Sequence, residues 1–155
     1  MRSEEATKAD LGRLSQEASR LGKVNVLEGT KGGRDAPRWV PVTADGRAAL
    51  QAALAARPEG SKNLLAPNES YKEWRAGELR AGREVLHSYG ARGYHDGRAA
   101  YACERYAILT GHRAPAVAGH RGADRPTDRA ARAVIAAELG HGRADVARAY
   151  VGSSR

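Results

Sequence analysis

Phenylalanine is absent from these 155 residues, and aromatic side chains make up only 5% of them. Apolar residues still reach 41%. The core is therefore expected to consist of Ala, Leu, Val and Ile, with Trp39, Trp74 and the six tyrosines as its few large pieces. Burial stabilises by roughly 25 cal/mol per Å² of apolar area, so a core of small side chains is a thin one. Cysteine is reduced to Cys103, which excludes a disulfide framework and suits a reducing compartment. That cysteine and the five histidines lack the clustered spacing of a structural zinc site. No apolar run approaches the roughly 20 residues of a membrane-crossing helix. The N-terminus is acidic and polar rather than signal-like. A soluble, intracellular, cytoplasmic chain is the expectation.

What is abundant is positive charge. Lys and Arg total 26 against 18 Asp and Glu, a net charge of +8. Such an excess favours a polyanion, most simply nucleic acid, and predicts binding that weakens steeply with salt. A solubilising surface accounts for the composition equally well. The basic residues are spread along the chain, with no Lys/Arg-only block, which suits a folded basic face better than a disordered tail. The length fits one ordinary domain.

Residues 3–10 start helically, with Glu4 and Glu5 in the first turn, where they complement the helix dipole. Gly12 is read as a break before a second short helix carrying Leu14, Ala18 and Leu21 on one face, closed by Gly22. Val24-Asn25-Val26-Leu27 and Trp39-Val40-Pro41-Val42 read as the strands of a hairpin around Gly32-Gly33. Thr43-Ala44-Asp45 opens a helix through Ala56. Residues 58–70 read as loop, 71–87 as helix, and an amphipathic helix runs from His95 to about Leu109. The Gly-, Pro- and Arg-rich stretch 112–126 reads as an exposed loop. Thr127 is read as the cap of a helix through Leu139, and a last short helix spans 143–151. The sum is α+β and mainly helical, with one small antiparallel sheet near the start.

Four patterns bear on chemistry, and each has a plainer alternative. His95-Asp96-Gly97-Arg98 places an imidazole and a guanidinium three apart on one helix face, so both can converge on one target. The guanidinium is a planar fork matched to phosphate oxygens. In an Arg-rich chain an isolated pair of this kind is more often a solvated face. Leu139-Gly140-His141, with Tyr150 nine residues on, puts His141 at a corner and Tyr150 on the next turn. Singly, it is a helix-ending glycine beside an ordinary tyrosine. Thr30-Lys31-Gly32-Gly33-Arg34 sets a lysine at a mobile hairpin tip, or is a plain surface turn. Arg2-Ser3-Glu4-Glu5-Ala6 alone means nothing.

Order and spacing join them. Arg, Lys, His-x-x-Arg, Leu-Gly-His and Tyr follow one another as in the active site of tyrosine recombinases, the phage-type integrases. The stretch His95-Asp96-Gly97-Arg98-Ala99-Ala100-Tyr101-Ala102 resembles their His-x-x-Arg helix. Glu138-Leu139-Gly140-His141 with Tyr150 resembles their C-terminal motif. Residues 26–33 with Val40-Pro41-Val42 resemble their hairpin with its lysine, and Arg2 in Met-Arg-Ser-Glu-Glu-Ala resembles their first arginine. The resemblance spans Arg2 to Tyr150 and implies the recombinase catalytic-domain fold. It also implies site-specific DNA recombination or integration through a 3′-phosphotyrosyl intermediate.

In that reading Tyr150 attacks the phosphodiester, while Arg2 and Arg98 hold its non-bridging oxygens. Lys31 protonates the leaving 5′-oxygen, His95 assists proton transfer, and His141 hydrogen-bonds the phosphate. No metal or cofactor is implied. Double-stranded DNA is the partner, contacted also by Lys31, Arg34, Arg113, Arg121 and Arg125. A tetramer on two duplexes and a bacterial or phage-encoded, nucleoid-associated setting are further implications.

The chain departs from the family pattern in three respects. It begins one residue before the first arginine, and is therefore expected to be a single catalytic domain, residues 1–155, truncated before it and lacking the family's core-binding domain. Ala99 stands where many members carry a second histidine, and the interval from Arg98 to His141 is long. Two alternatives stay open: a catalytically impaired DNA-binding remnant, and a type IB topoisomerase-like nicking-closing enzyme.

Overall fold

Residues 1–30 and 37–153 are described by a computed structural model, and these gather into two compact units, Met1–Glu84 and Val85–Arg155. The mainly helical α+β class expected above is what the chain adopts, with one two-stranded antiparallel sheet.

In the first unit, α1 (Ser3–Lys8) and α2 (Leu11–Leu21) part at Ala9-Asp10 rather than at Gly12. Extended backbone at Ala9 ends α1, and the Asp10 carboxylate accepts a hydrogen bond from the Arg13 amide at 2.9 Å, starting α2. Leu11, Leu14 and Ala18 face inward, whereas Leu21 lies in the last turn and is exposed. Strands β1 (Lys23–Asn25) and β2 (Trp39–Pro41) pair with Val24 opposite Val40. Their inner faces join Ala9, Leu14 and Ala18, with Leu50 of α3 (Ala44–Ala55) alongside. Thr43 caps α3 as expected, its hydroxyl accepting from the Gly46 amide. The helix expected over 71–87 is two, α4 (Tyr71–Ala76) and α5 (Glu78–Ser88), because Gly77 leaves helical backbone angles.

In the second unit, α6 (Tyr94–Thr110) and α8 (Arg125–Glu138) pack through Ala102, Tyr106, Ala131, Ile135 and Leu139. A 3₁₀ turn (Ala144–Ala147) leads into α9 (Arg148–Val151), which adds Tyr150 and Val151 to that core. The stretch 112–126 is not simply an exposed loop. It holds the short helix α7 (Pro115–Ala118), and Ala114, Pro115 and Ala123 are buried. The cap of α8 is Asp124, three residues before Thr127, whose amide donates to it at 2.8 Å.

The large aromatics divide differently from expectation. Tyr106 and Tyr150 are core residues, but Trp39, Tyr89 and Tyr94 are exposed. Small aliphatics fill most of both cores. Among the described residues, no helix is long and apolar enough to cross a membrane.

Candidate active site

The site grows from the end of α8. Gly140 takes a left-handed conformation (φ 74°) that a side chain would resist. Its amide donates to the Ala137 carbonyl at 2.9 Å, and the His141 amide reaches back to Ala136 at 2.8 Å. These are the two bonds of a Schellman ending, and they fix His141 at the corner. Glu138, one turn earlier, is buried and accepts hydrogen bonds from the Tyr101 hydroxyl (2.7 Å) and Arg105 Nε (3.0 Å), which ties this corner to α6. Burial and the bond to that carboxylate push the Tyr101 phenol well up, so it stays protonated.

On α6, His95 and Arg98 do share a face. Arg98 Nη2 donates to the Leu139 carbonyl at 3.0 Å and stands 3.5 Å from His141 Nε2. The same imidazole nitrogen is 3.3 Å from the Tyr150 hydroxyl. A guanidinium only donates, so with the imidazole proton on Nδ1 the Nε2 lone pair faces both Arg98 and the phenol. The Arg98 guanidinium carbon lies 5.7 Å from the Tyr150 ring centre, and the His95 ring 5.1 Å from it. Arg98 Nη1 is buried and has no hydrogen-bond partner among the described residues, an arrangement that is costly unless an acceptor binds there.

The backbone on either side of Tyr150 is held closely. Val151 beside it is fully buried, and the Tyr150 carbonyl accepts from Cys103 Sγ at 3.5 Å. The carbonyl of Gly152 accepts from Arg132 Nη1 at 2.9 Å. Gly152 has a φ of 87°, and a Cβ there would meet the Ala116 backbone nitrogen at 2.5 Å, so the chain passes α7 too closely for any side chain. Arg132 is itself anchored, with Nε 2.9 Å from both oxygens of buried Asp128, which also accepts from the Tyr106 hydroxyl at 2.8 Å. Burial and that carboxylate push the Tyr106 phenol up to about 12.

His95, Arg98, His141 and Tyr150 are thus brought together within the second unit. Arg2 belongs to the first unit, at the head of α1. Its amide donates to Glu5 Oε2 at 2.6 Å and its Nη1 to Oε1 at 2.9 Å. Glu5 is fully buried and also takes Arg38, with Nη2 2.8 Å from Oε2. Burial raises the Glu5 carboxyl, but the bonds from Arg38 and the Arg2 amide outweigh it and hold the group below its ordinary range. Lys31 and Arg34 lie outside the described residues. Arg121 and Arg125 line one cavity, whereas exposed Arg113 lines another with His112 and His120.

Sequence reasoning quoted Glu138 only as part of a motif and assigned no role to it, to Asp128 or to Arg132. The signal was present, since Asp128 and Arg132 stand four apart on the face that carries Ala131 and Ile135. Among the described residues no group of three His, Cys, Asp or Glu side chains is placed to hold a metal ion.

No protein-family model matches the chain, and no curated protein or solved structure matches it either.

Proposed function

We propose that the second unit carries the cleavage site of a tyrosine recombinase, which breaks and rejoins duplex DNA through a covalent bond to Tyr150. The observation that carries this reading is one imidazole nitrogen, His141 Nε2, standing 3.3 Å from the Tyr150 hydroxyl and 3.5 Å from Arg98 Nη2. Nucleophile, proton acceptor and phosphate clamp then share a single point.

In the reaction, the Tyr150 phenol oxygen attacks phosphorus and its proton passes to an imidazole, for which His141, with Nε2 3.3 Å from the hydroxyl, is better placed than His95. A phosphorus–phenol oxygen bond forms, and the bond from phosphorus to the 5′-oxygen breaks. Arg98 Nη1 supplies a buried donor to the non-bridging oxygens. Arg2 as second phosphate donor and Lys31 as proton source for the 5′-oxygen follow from the family resemblance. The phosphotyrosyl link retains the energy of the phosphodiester, so the 5′-hydroxyl can reverse the step, on its own strand or on another, without a cofactor. The recombinase catalytic-domain fold, the double-stranded DNA partner and tetramer assembly belong to this same reading.

The test is to incubate the full chain with a pool of nicked duplexes, randomised around the nick so that the cut fragment diffuses away. The expected result is a denaturant-stable protein–DNA adduct that Tyr150→Phe abolishes. Salt-sensitive DNA binding with no adduct would instead identify a DNA-binding remnant.

A further inference from the structure

Along α8, Arg125, Asp128, Arg129 and Arg132 recur at the spacing of one helix face. With Arg121, Ala144 and Asp145 they line a cavity of about 540 Å³. Its two carboxylates are already engaged. Asp128 takes Arg132 and the Tyr106 hydroxyl, and Asp145 takes Arg143 Nη2 at 2.6 Å. Arg121, Arg125 and Arg129 enter no ion pair among the described residues.

Two guanidinium nitrogens of these lining residues, Arg132 Nη2 and Arg121 Nε, are buried without a hydrogen-bond partner among the described residues. Arg132 is only 8% exposed. A buried charged donor left unmatched is destabilising, and four guanidinium groups around one hollow concentrate positive potential there. Both costs fall when an oxyanion enters.

We propose that this groove is a second phosphate-binding site, in which Arg121, Arg129 and the inner edge of Arg132 seat one backbone phosphate of duplex DNA. A backbone suits it better than a lone ion because a neighbouring cavity of about 570 Å³ shares Arg125 and Arg129 and continues along α8 past Pro126, Ala130 and Ala133. Successive phosphates can occupy the two. The chemistry at Tyr150 is not involved, and only the identity of the polymer rests on the recombinase reading. The groove anchors duplex at the start of α8, while the cleavage cluster sits past its end, roughly 20 Å along the helix at 1.5 Å per residue.

The test uses the full chain, with inorganic phosphate and a short mixed-sequence duplex as probes. Wild type is compared with the Arg121→Gln/Arg129→Gln double variant and with Arg98→Gln, circular dichroism verifying that each is folded. Phosphate is expected to raise the melting temperature of wild type and Arg98→Gln and to lose most of that effect in the double variant. The salt dependence of duplex binding should fall by about one unit of log–log slope in the double variant, because its two arginines share one phosphate. A slope that falls without an inorganic phosphate effect still supports a backbone occupant. Phosphate protection lost with an unchanged slope overturns the backbone assignment in favour of a free phosphate ligand. A double variant that behaves as wild type with both probes overturns the site. Covalent adduct formation is scored separately, so its failure removes the recombinase reading and leaves this result standing.

Discussion

Each unit contains an arginine that the family resemblance assigns to the phosphate, and the two sit in opposite electrostatic settings. Arg2 shares the fully buried Glu5 with Arg38, so its positive charge is answered by a carboxylate of its own helix. Arg98 touches a carbonyl, an imidazole and an aromatic face, with no carboxylate among these contacts and one buried nitrogen unmatched. The same side chain is ion-paired to a buried carboxylate in one unit and carries an unmatched buried nitrogen in the other. A count of arginines cannot reveal that distinction, because it is set by what stands within hydrogen-bond reach.

The contrast sharpens first at Glu5. Glu5→Gln strips the charge that holds two guanidinium groups, and breaking a buried pair in this way costs about 3–5 kcal/mol. Because the folded carboxyl lies below its ordinary value of 4.5, its contribution is present above that pH and is lost as pH falls through the folded value. Urea melts should therefore show a large gap between wild type and variant at neutral pH that closes in acid. A gap independent of pH would break the comparison.

Arg98→Gln tests the other side. Adduct formation should fall by about a hundredfold or more, which corresponds to about 2.7 kcal/mol. The lost bond to Leu139 should cost only about 1 kcal/mol of stability. If melting suffers as much as Glu5→Gln while cleavage persists, Arg98 is a tie after all.

Tyr106→Phe deletes one hydrogen bond to Asp128 but leaves Arg132 on the Gly152 carbonyl. A loss of about 1 kcal/mol in a chemical melt, with the cleavage rate retained, is expected. The smallest effect belongs to Glu84→Gln. Arg80 and Glu84 are 76% and 69% exposed at 3.5 Å, and stability should move by less than about 0.5 kcal/mol.

Much of the second unit was legible in sequence because its rules are local. The three-residue spacing of His95 and Arg98 placed both on one face of α6, and Leu139-Gly140-His141 announced the helix ending that sets the corner. The first unit was legible in its elements, with Thr43 opening a helix and Val24 and Val40 lying in the two strands of a hairpin. What escaped depended on tertiary neighbours. Asp128 and Arg132 have the spacing of an ordinary surface pair, and only the packing of Tyr106 and Gly152 around them shows that the pair is buried. Residues 112–126 have the composition of a loop, yet Ala114, Pro115 and Ala123 are buried, which their neighbours in the fold decide and their composition does not. Gly12 was overrated as a helix breaker, since a glycine one residue inside a well-capped helix is tolerated at a cost of about 1 kcal/mol.

The most direct measurement is the position of the covalent link. Wild-type chain trapped on the nicked duplex pool, digested and sequenced by mass spectrometry, should carry its nucleotide on Tyr150, and Arg98→Gln should reduce the yield of that same peptide. A nucleotide on any other residue, or none on a chain that still binds DNA, would contradict the account.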